Sequence, residues 1–205
     1  MIAGPQMLVG LQYAHAFWQV RQQPAQSLLE ATRVRSRAWP WLCDSLGHIN
    51  NARYLDIASV GRLSWLAHQR LALPLMRSRY ALIVAGAAIT YRREIRALHT
   101  FTIETQLAAY DERWLHFTTT LLQANAAGEE KVAARMFVRM QLRKNKIACG
   151  LDVLLSEQHR DTPQSPPVPI DVAMHLRAQE ASVDYVRARE GRTERASRNA
   201  YNCRS

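Results

Sequence analysis

Long apolar runs are missing from this chain. The longest, Met7 to Val20, is broken by Gln12, His15 and Gln19 and falls short of the ~18–20 residues a bilayer span needs, so no transmembrane segment is expected. A basic lead-in followed by a small-residue cleavage site is also lacking, and a cytoplasmic location is the resulting expectation. Cysteine is scarce: Cys43, Cys149 and Cys203 are odd in number and none is at CxxC spacing, which excludes a disulfide framework and a zinc knuckle. Eight glycines and eight prolines exclude collagen-like or low-complexity sequence. Lysine is nearly absent. Of 27 Lys plus Arg only Lys131, Lys144 and Lys146 are lysine, which leaves 24 arginines against 17 acidic residues.

What remains is a globular composition of 205 residues, 48% of them hydrophobic and 21% charged, enough for one domain with appendages. The net charge of +10 is carried by guanidinium forks, which suit phosphate on nucleic acid, on a nucleotide-bearing ligand or on lipid. Charge alone does not choose among them.

Four regions follow from the pattern: a leader over 1–30, a folded domain over 31–150, a Pro-rich connection with a C-terminal helix over 151–190, and a basic tail over 191–205, expected to be mobile. The run Ala31 to Trp39 alternates and stops at Pro40, which predicts a strand. Asn50 and Asn51 offer cap side chains ahead of an amphipathic helix over about Ala52 to Arg70. Gly61 is costly inside a helix, so it predicts close approach to something flat. From about Leu82 to Ala148 the chain reads as hairpins. In the last of them Val132, Ala134, Met136, Val138, Met140 and Leu142 share one face, and Arg135, Phe137, Arg139, Gln141 and Arg143 share the other. Beyond Gly150, Pro163, Pro166, Pro167 and Pro169 mark an extended connection, and Asp171 caps a helix to about Glu190. The order predicts an α+β fold: an antiparallel sheet wrapped around one long helix.

The stretch from Asp44 to Leu55 carries the chemistry. It places a carboxylate in the loop before the helix, a glycine at Gly47 that permits an unusual turn, and free N–H groups at the first helical turn. Such a helix start stabilises negative charge, including that which develops on a carbonyl oxygen under attack. Taken singly, Asp44 could bond loop amides, and Asn50 and Asn51 could cap the helix.

The pattern Asp-x-x-Gly-His-x-Asn-Asn-x-x-Tyr, filled by Asp44, Gly47, His48, Asn50, Asn51 and Tyr54, resembles the active-site segment of hotdog-fold acyl-CoA thioesterases of the 4-hydroxybenzoyl-CoA thioesterase type. Arg62 fits as well, and the resemblance spans about residues 31–148. It implies a single hotdog domain with a five-stranded sheet, and hydrolysis of an acyl thioester to free acid and thiol. Carried over, Asp44 is nucleophile or general base and the N–H near Asn51, with Gly47, is the oxyanion donor. His48 is a candidate for the catalytic group, to bond the substrate or act as an acid, with loop organisation as its alternative role; Asn50 and Tyr54 are candidates to meet the substrate, with helix capping and packing as theirs. The family needs no metal and no cofactor beyond the coenzyme A of the substrate, and it works as a homodimer, in some members a tetramer. One position departs: many relatives carry an acid five residues after the tyrosine, where this chain has Ser59. That leaves the chemistry to Asp44, with Asp56 one turn earlier as the substitute.

Arg135, Arg139 and Arg143, with Arg92, Arg93 and Arg96 expected on another strand, are candidates to grip the phosphates of coenzyme A, or else form a solvated sheet face or a subunit contact. The leader, with Leu11, Phe17 and Trp18, could lie on a membrane, fold over an acyl-chain opening or serve as a docking segment. The rival to hydrolysis is a non-catalytic hotdog protein that holds an acyl chain or an acidic acyl carrier protein. A nucleic-acid module explains the charge but not the Asp44 to Tyr54 pattern, so no nucleic-acid partner is expected.

Overall fold

Alternation between buried Thr32 and Val34 and exposed Arg33 and Arg35 makes β1 (Thr32–Arg37) a half-buried edge strand. In the computed structural model, which describes residues 14–20, 23 and 27–202 with side chains as far as 189, it follows a short helix, α1 (residues 14–20). Leu11 and Arg204 lie outside the described residues. The strand is shorter than the alternating run because Ala38 N–H is already given to the His99 carbonyl, after which Pro40–Leu42 form a 3₁₀ turn. Asn51–Arg53 form a second 3₁₀ turn, which leads into the long helix α2 (Tyr54–His68).

Five strands make one antiparallel sheet in the order β1-β3-β4-β5-β2, where β2 is Tyr80–Tyr91, β3 Thr100–Tyr110, β4 Leu115–Ala124 and β5 Glu130–Lys144. This is the curled sheet around a central helix that the pattern predicts. Gly61 is where the two meet: a Cβ there would stand 2.2 Å from Thr105 Oγ1 and 2.9 Å from Ile103 Cγ2 on β3. Only a residue without a side chain lets α2 lie this close.

The core falls into two clusters along α2. One gathers Tyr54, Ile57, Ala58 and Val60 with Val34, Ile103 and Met136; the other gathers Trp65 and Leu66 with Leu107, Phe117 and Met140. One strand position departs from the predicted face. Leu121 pairs with Ala134 but Leu122 with Val132, so Ala133 is bulged out and Val132, expected in the core, is 37% exposed. A bulge reverses the parity of every residue beyond it. The Ala133 carbonyl freed by the bulge accepts from both Arg92 and Arg93 N–H, at 2.8 and 3.0 Å.

Besides α1 in the leader, three elements are additional to the predicted order: α3 (Ala72–Arg77), a two-residue strand β6 (Ile147–Ala148) that turns back onto β5, and α4 (Leu151–Ser156). All three are too short to show a period. Left-handed Asn145 and Lys146, at φ 49° and 72°, make the β5–β6 turn. The extended connection therefore begins after α4, whose Leu151, Leu154 and Leu155 are buried. Residues from Val168 onward form a separate unit. Its helix α5 (Ile170–Asn202) passes the expected end at Glu190, since Gly191 lowers helix propensity without forcing a stop. Among the described residues no helix is long and apolar enough to cross a membrane.

Candidate functional site

Residues 43–50 fold into a small hairpin because Gly47 takes φ +78°. A Cβ at Gly47 would meet nothing within 4 Å, so the requirement is conformational and not one of space. Asp44 N–H donates to the His48 carbonyl at 3.0 Å and Gly47 N–H to the Asp44 carbonyl at 3.1 Å. The hairpin is then pinned from both sides: Asn50 N–H to the Leu42 carbonyl, Ile49 N–H to the Ile95 carbonyl and Ala97 N–H to the Gly47 carbonyl, all at 2.8–2.9 Å. Asp44 is thus held on a fixed backbone.

Its carboxylate is half-buried and its two oxygens differ. Oδ1 accepts from Leu46 N–H at 2.9 Å, the loop-amide contact expected of an aspartate at a turn, whereas Oδ2 faces His48 Nδ1 at 3.5 Å. His48 Nδ1 is also 3.5 Å from the Ile49 carbonyl, so that nitrogen sits between two acceptors and directs the imidazole toward Asp44. The pair gathers what hydrolysis needs: one carboxylate oxygen free of amide contacts and a neighbouring ring that can orient it.

The helix start lies next to it in sequence. Asn50 is the cap, its Oδ1 accepting from Ala52 N–H at 2.9 Å, and Arg53 N–H returns to the Asn50 carbonyl. Asn51 opens the turn, so its N–H has no acceptor inside the helix and, among the described residues, is left for a developing negative charge. Gly47 N–H, by contrast, is spent within the hairpin. Asn50 therefore acts here as the cap, and Tyr54 as core: it is 3% exposed and meets Tyr91 edge-on at 4.9 Å, with its phenol pushed up by burial. Ser59, at the departing position, donates to the Leu55 carbonyl and accepts from Arg62 Nη2 at 2.7 Å. Asp56 pairs with Arg53 at 3.2 Å.

The arginines divide. Arg96 sits opposite His48 in a β-bridge and pairs with Glu94 at 2.7 Å, its guanidinium holding that carboxyl below the usual range. With Arg92 and Arg93 it belongs to the loop after β2 and not to a strand. Arg135 and Arg139 stand on the sheet face turned away from α2, with partners of their own: Arg135 donates to Thr120 Oγ1 at 3.2 Å, and Arg139 lies over the Trp114 ring at 4.0 Å. The chain does not bring these two to the Asp44 hairpin. Tyr91, which sequence reasoning missed, donates from its hydroxyl to the Asn51 carbonyl at 3.2 Å and ties the end of β2 to the helix start. Nothing in its neighbourhood in the sequence marks it out. Among the described residues no three His, Cys, Asp or Glu side chains gather as a metal site requires.

Residues 38–188 match the family model described as the thioesterase-like superfamily. Protein THEM6 of Xenopus laevis is 26% identical over 172 residues, covering 83% of this chain and 80% of the relative. Among solved structures, a DHNA-CoA thioesterase of Staphylococcus aureus superposes with a TM-score of 0.55 at 15% identity, over 75% of this chain and 95% of that one. The protein SAV2348 of Staphylococcus aureus, solved in complex with CoA, gives 0.54 at 19% identity, over 69% and 92%. At these identities the solved structures establish the hotdog fold.

Proposed function

Because this chain belongs to the thioesterase-like superfamily, we propose that it hydrolyses an acyl-CoA thioester to the free acid and coenzyme A, with Asp44 as its catalytic carboxylate. The observation that carries the proposal is the Asp44–His48 pair on a pinned hairpin immediately before Asn51, whose N–H opens the helix and has no acceptor among the described residues. Asp44 Oδ2 takes a proton from water, whose oxygen attacks the thioester carbonyl. Asn51 N–H receives the oxyanion, and collapse breaks the C–S bond as the proton passes to the departing thiolate. A thioester suits so spare a site because its carbonyl has little resonance stabilisation to lose, so preorganised donors supply most of what is required. Direct attack by Asp44 would instead form an anhydride that water then opens. Single turnover in ¹⁸O-water can label Asp44 on that route only, and does so when water opens the anhydride at the Asp44 carbon.

Two observations support coenzyme A as the thiol carrier: the DHNA-CoA thioesterase and the CoA complex named among the structural neighbours, and Arg96, which faces His48 across a β-bridge. The same positive charge would receive an acidic acyl carrier protein, the alternative donor. A second copy is proposed to pair through β2, a twelve-residue edge strand with Ile83 and Val84 about half exposed. Val84→Asp on that edge should yield a monomer by sedimentation.

The test is thiol release from short, long and aromatic acyl-CoAs and an acyl carrier protein thioester, with Asp44→Asn beside the native chain. Asp44→Asn should fold normally and lose at least ~100-fold in kcat with ligand affinity within about tenfold. Full activity in that variant would reject the assignment. Absence of turnover on every thioester would favour the non-catalytic acyl binder, which the serine at position 59 makes the reading to exclude.

A further inference from the structure

The β1 edge of the sheet is closed by a side chain. Gln19 Nε2 donates to the Arg35 carbonyl at 3.0 Å, and its Oε1 accepts from Arg35 N–H at 3.1 Å, so one carboxamide makes both bonds that a neighbouring strand would make. The clasp lays α1 along β1. Ala16 and Val20 are buried by it, while Phe17 and Trp18 stay 41% and 60% exposed.

Between α1 and the sheet lies a cavity of about 600 Å³, well within the ~300–1,000 Å³ typical of small-molecule sites. Val34, Val60 and Ile103 wall it, and it is bordered by the partly exposed rings of Trp39 and Trp41, stacked at 5.2 Å with planes 7° apart. Apolar walls of this kind favour an apolar guest. Its remaining border combines His15, Ser36 and Thr100 with two cations. Arg35 and Arg37 line it, no carboxylate does, and neither guanidinium has an acidic partner among the described residues. Asp44 is not part of its lining.

We propose that this cavity binds one free long-chain fatty carboxylate, its alkyl chain among Val34, Val60 and Ile103 and its head at Arg35 and Arg37, with α1 as a lid held by Gln19. The site is separate from the hydrolytic hairpin and does not depend on Asp44. Apolar walls select an aliphatic chain by area, and two guanidiniums with no carboxylate partner among the described residues, Arg37 lying over the Trp39 ring at 5.5 Å, select a carboxylate over a cationic or neutral head.

Titration of the full chain with cis-parinaric acid, followed by its fluorescence, tests the proposal. Binding should saturate at one equivalent, and hexadecanoate should displace the probe far better than hexanoate, by up to about fourfold per added methylene. Hexadecyltrimethylammonium should compete at least tenfold less well. Val60→Phe, which fills the cavity, should weaken the probe at least tenfold. The doubly substituted Arg35→Glu, Arg37→Glu protein leaves the core untouched and should reverse the preference between the two sixteen-carbon head groups. Asp44→Asn should bind as the native chain does. Failure of the native chain to saturate, equal competition by acid and ammonium, or probe affinity unchanged in both the Val60 and the arginine variants would each overturn the site. Parallel loss in Asp44→Asn would also overturn it, by moving the acid to the hairpin.

Discussion

On β4 and β5 the side chains directed toward α2 and those directed away from it are buried to a similar degree by different chemistry. Toward the helix stand Phe117, Leu121, Met136, Val138 and Met140, with Trp65 edge-on to Phe117 at 5.1 Å. Away from it stand His116, Thr118, Phe137 and Gln141, all buried, with Thr118 opposite Phe137 and His116 opposite Arg139 across the two strands. His116 stacks on Phe137 at 6.0 Å, its Nε2 lies 3.8 Å from Asp111 Oδ2, and its Nδ1 has no hydrogen-bond partner among the described residues. Period-two alternation separates the two sets but does not say that the polar one is desolvated as well. The first face is sensitive to volume, and the second to charge.

Volume gives the largest expected effect. Gly61→Ala places a methyl against Thr105 and Ile103, so urea unfolding should show a loss of about 1–3 kcal/mol, although alanine favours the helix by ~1 kcal/mol. Thr105→Ala in the same chain removes the nearest atom, and the double variant should lose less than the two single losses combined. An additive result would mean that α2 shifts off β3 without resistance, and the contrast between the faces would fail.

Charge gives the next effect. Burial pushes the His116 imidazole below its ordinary value, against an opposing pull from Asp111. The unfolded chain therefore takes up this proton more readily than the folded one. The contribution is fully present above the unfolded histidine value near ~6.5 and is lost as pH falls toward the lower folded value. Midpoints of unfolding measured from pH 8 down to pH 5 should fall more steeply for the native chain than for His116→Phe. Parallel curves would show that His116 is not desolvated.

Much of this was legible beforehand and some of it was not, for identifiable reasons. The helix, the hairpins and the role of Gly61 follow from periods and from one costly residue, all local in sequence. The Asp44 hairpin is legible because its spacing is contiguous: Asp44, Gly47 and His48 close on each other within five residues. Tyr91, at the end of β2, reaches the helix start, and Arg96, in the loop that follows, reaches the hairpin, through contacts that depend on register and leave no local mark. Val132 was assigned to the wrong side because a bulge is a single inserted residue that alternation passes over. The cavity beneath α1 depends on a glutamine that acts as a strand, which no propensity signals.

The arginines supply the smallest and most discriminating effect. Arg96 is beside the hairpin, and Arg139 is on the far face over Trp114, so the two should differ in kind. Arg96→Ala should raise KM about threefold to tenfold for acyl-CoA and much less for a short thioester without the nucleotide, as loss of one exposed charged contact to phosphate would. Arg139→Ala should leave both KM values within about twofold and lower stability by about 0.5–1 kcal/mol, the worth of a cation–π contact at a partly exposed ring. The opposite outcome, a nucleotide-dependent KM in Arg139→Ala alone, would require the phosphates of one chain's substrate to lie on the far face of a second copy. Mixing Arg139→Ala with Asp44→Asn chains would then restore part of the lost activity, because each supplies what the other lacks.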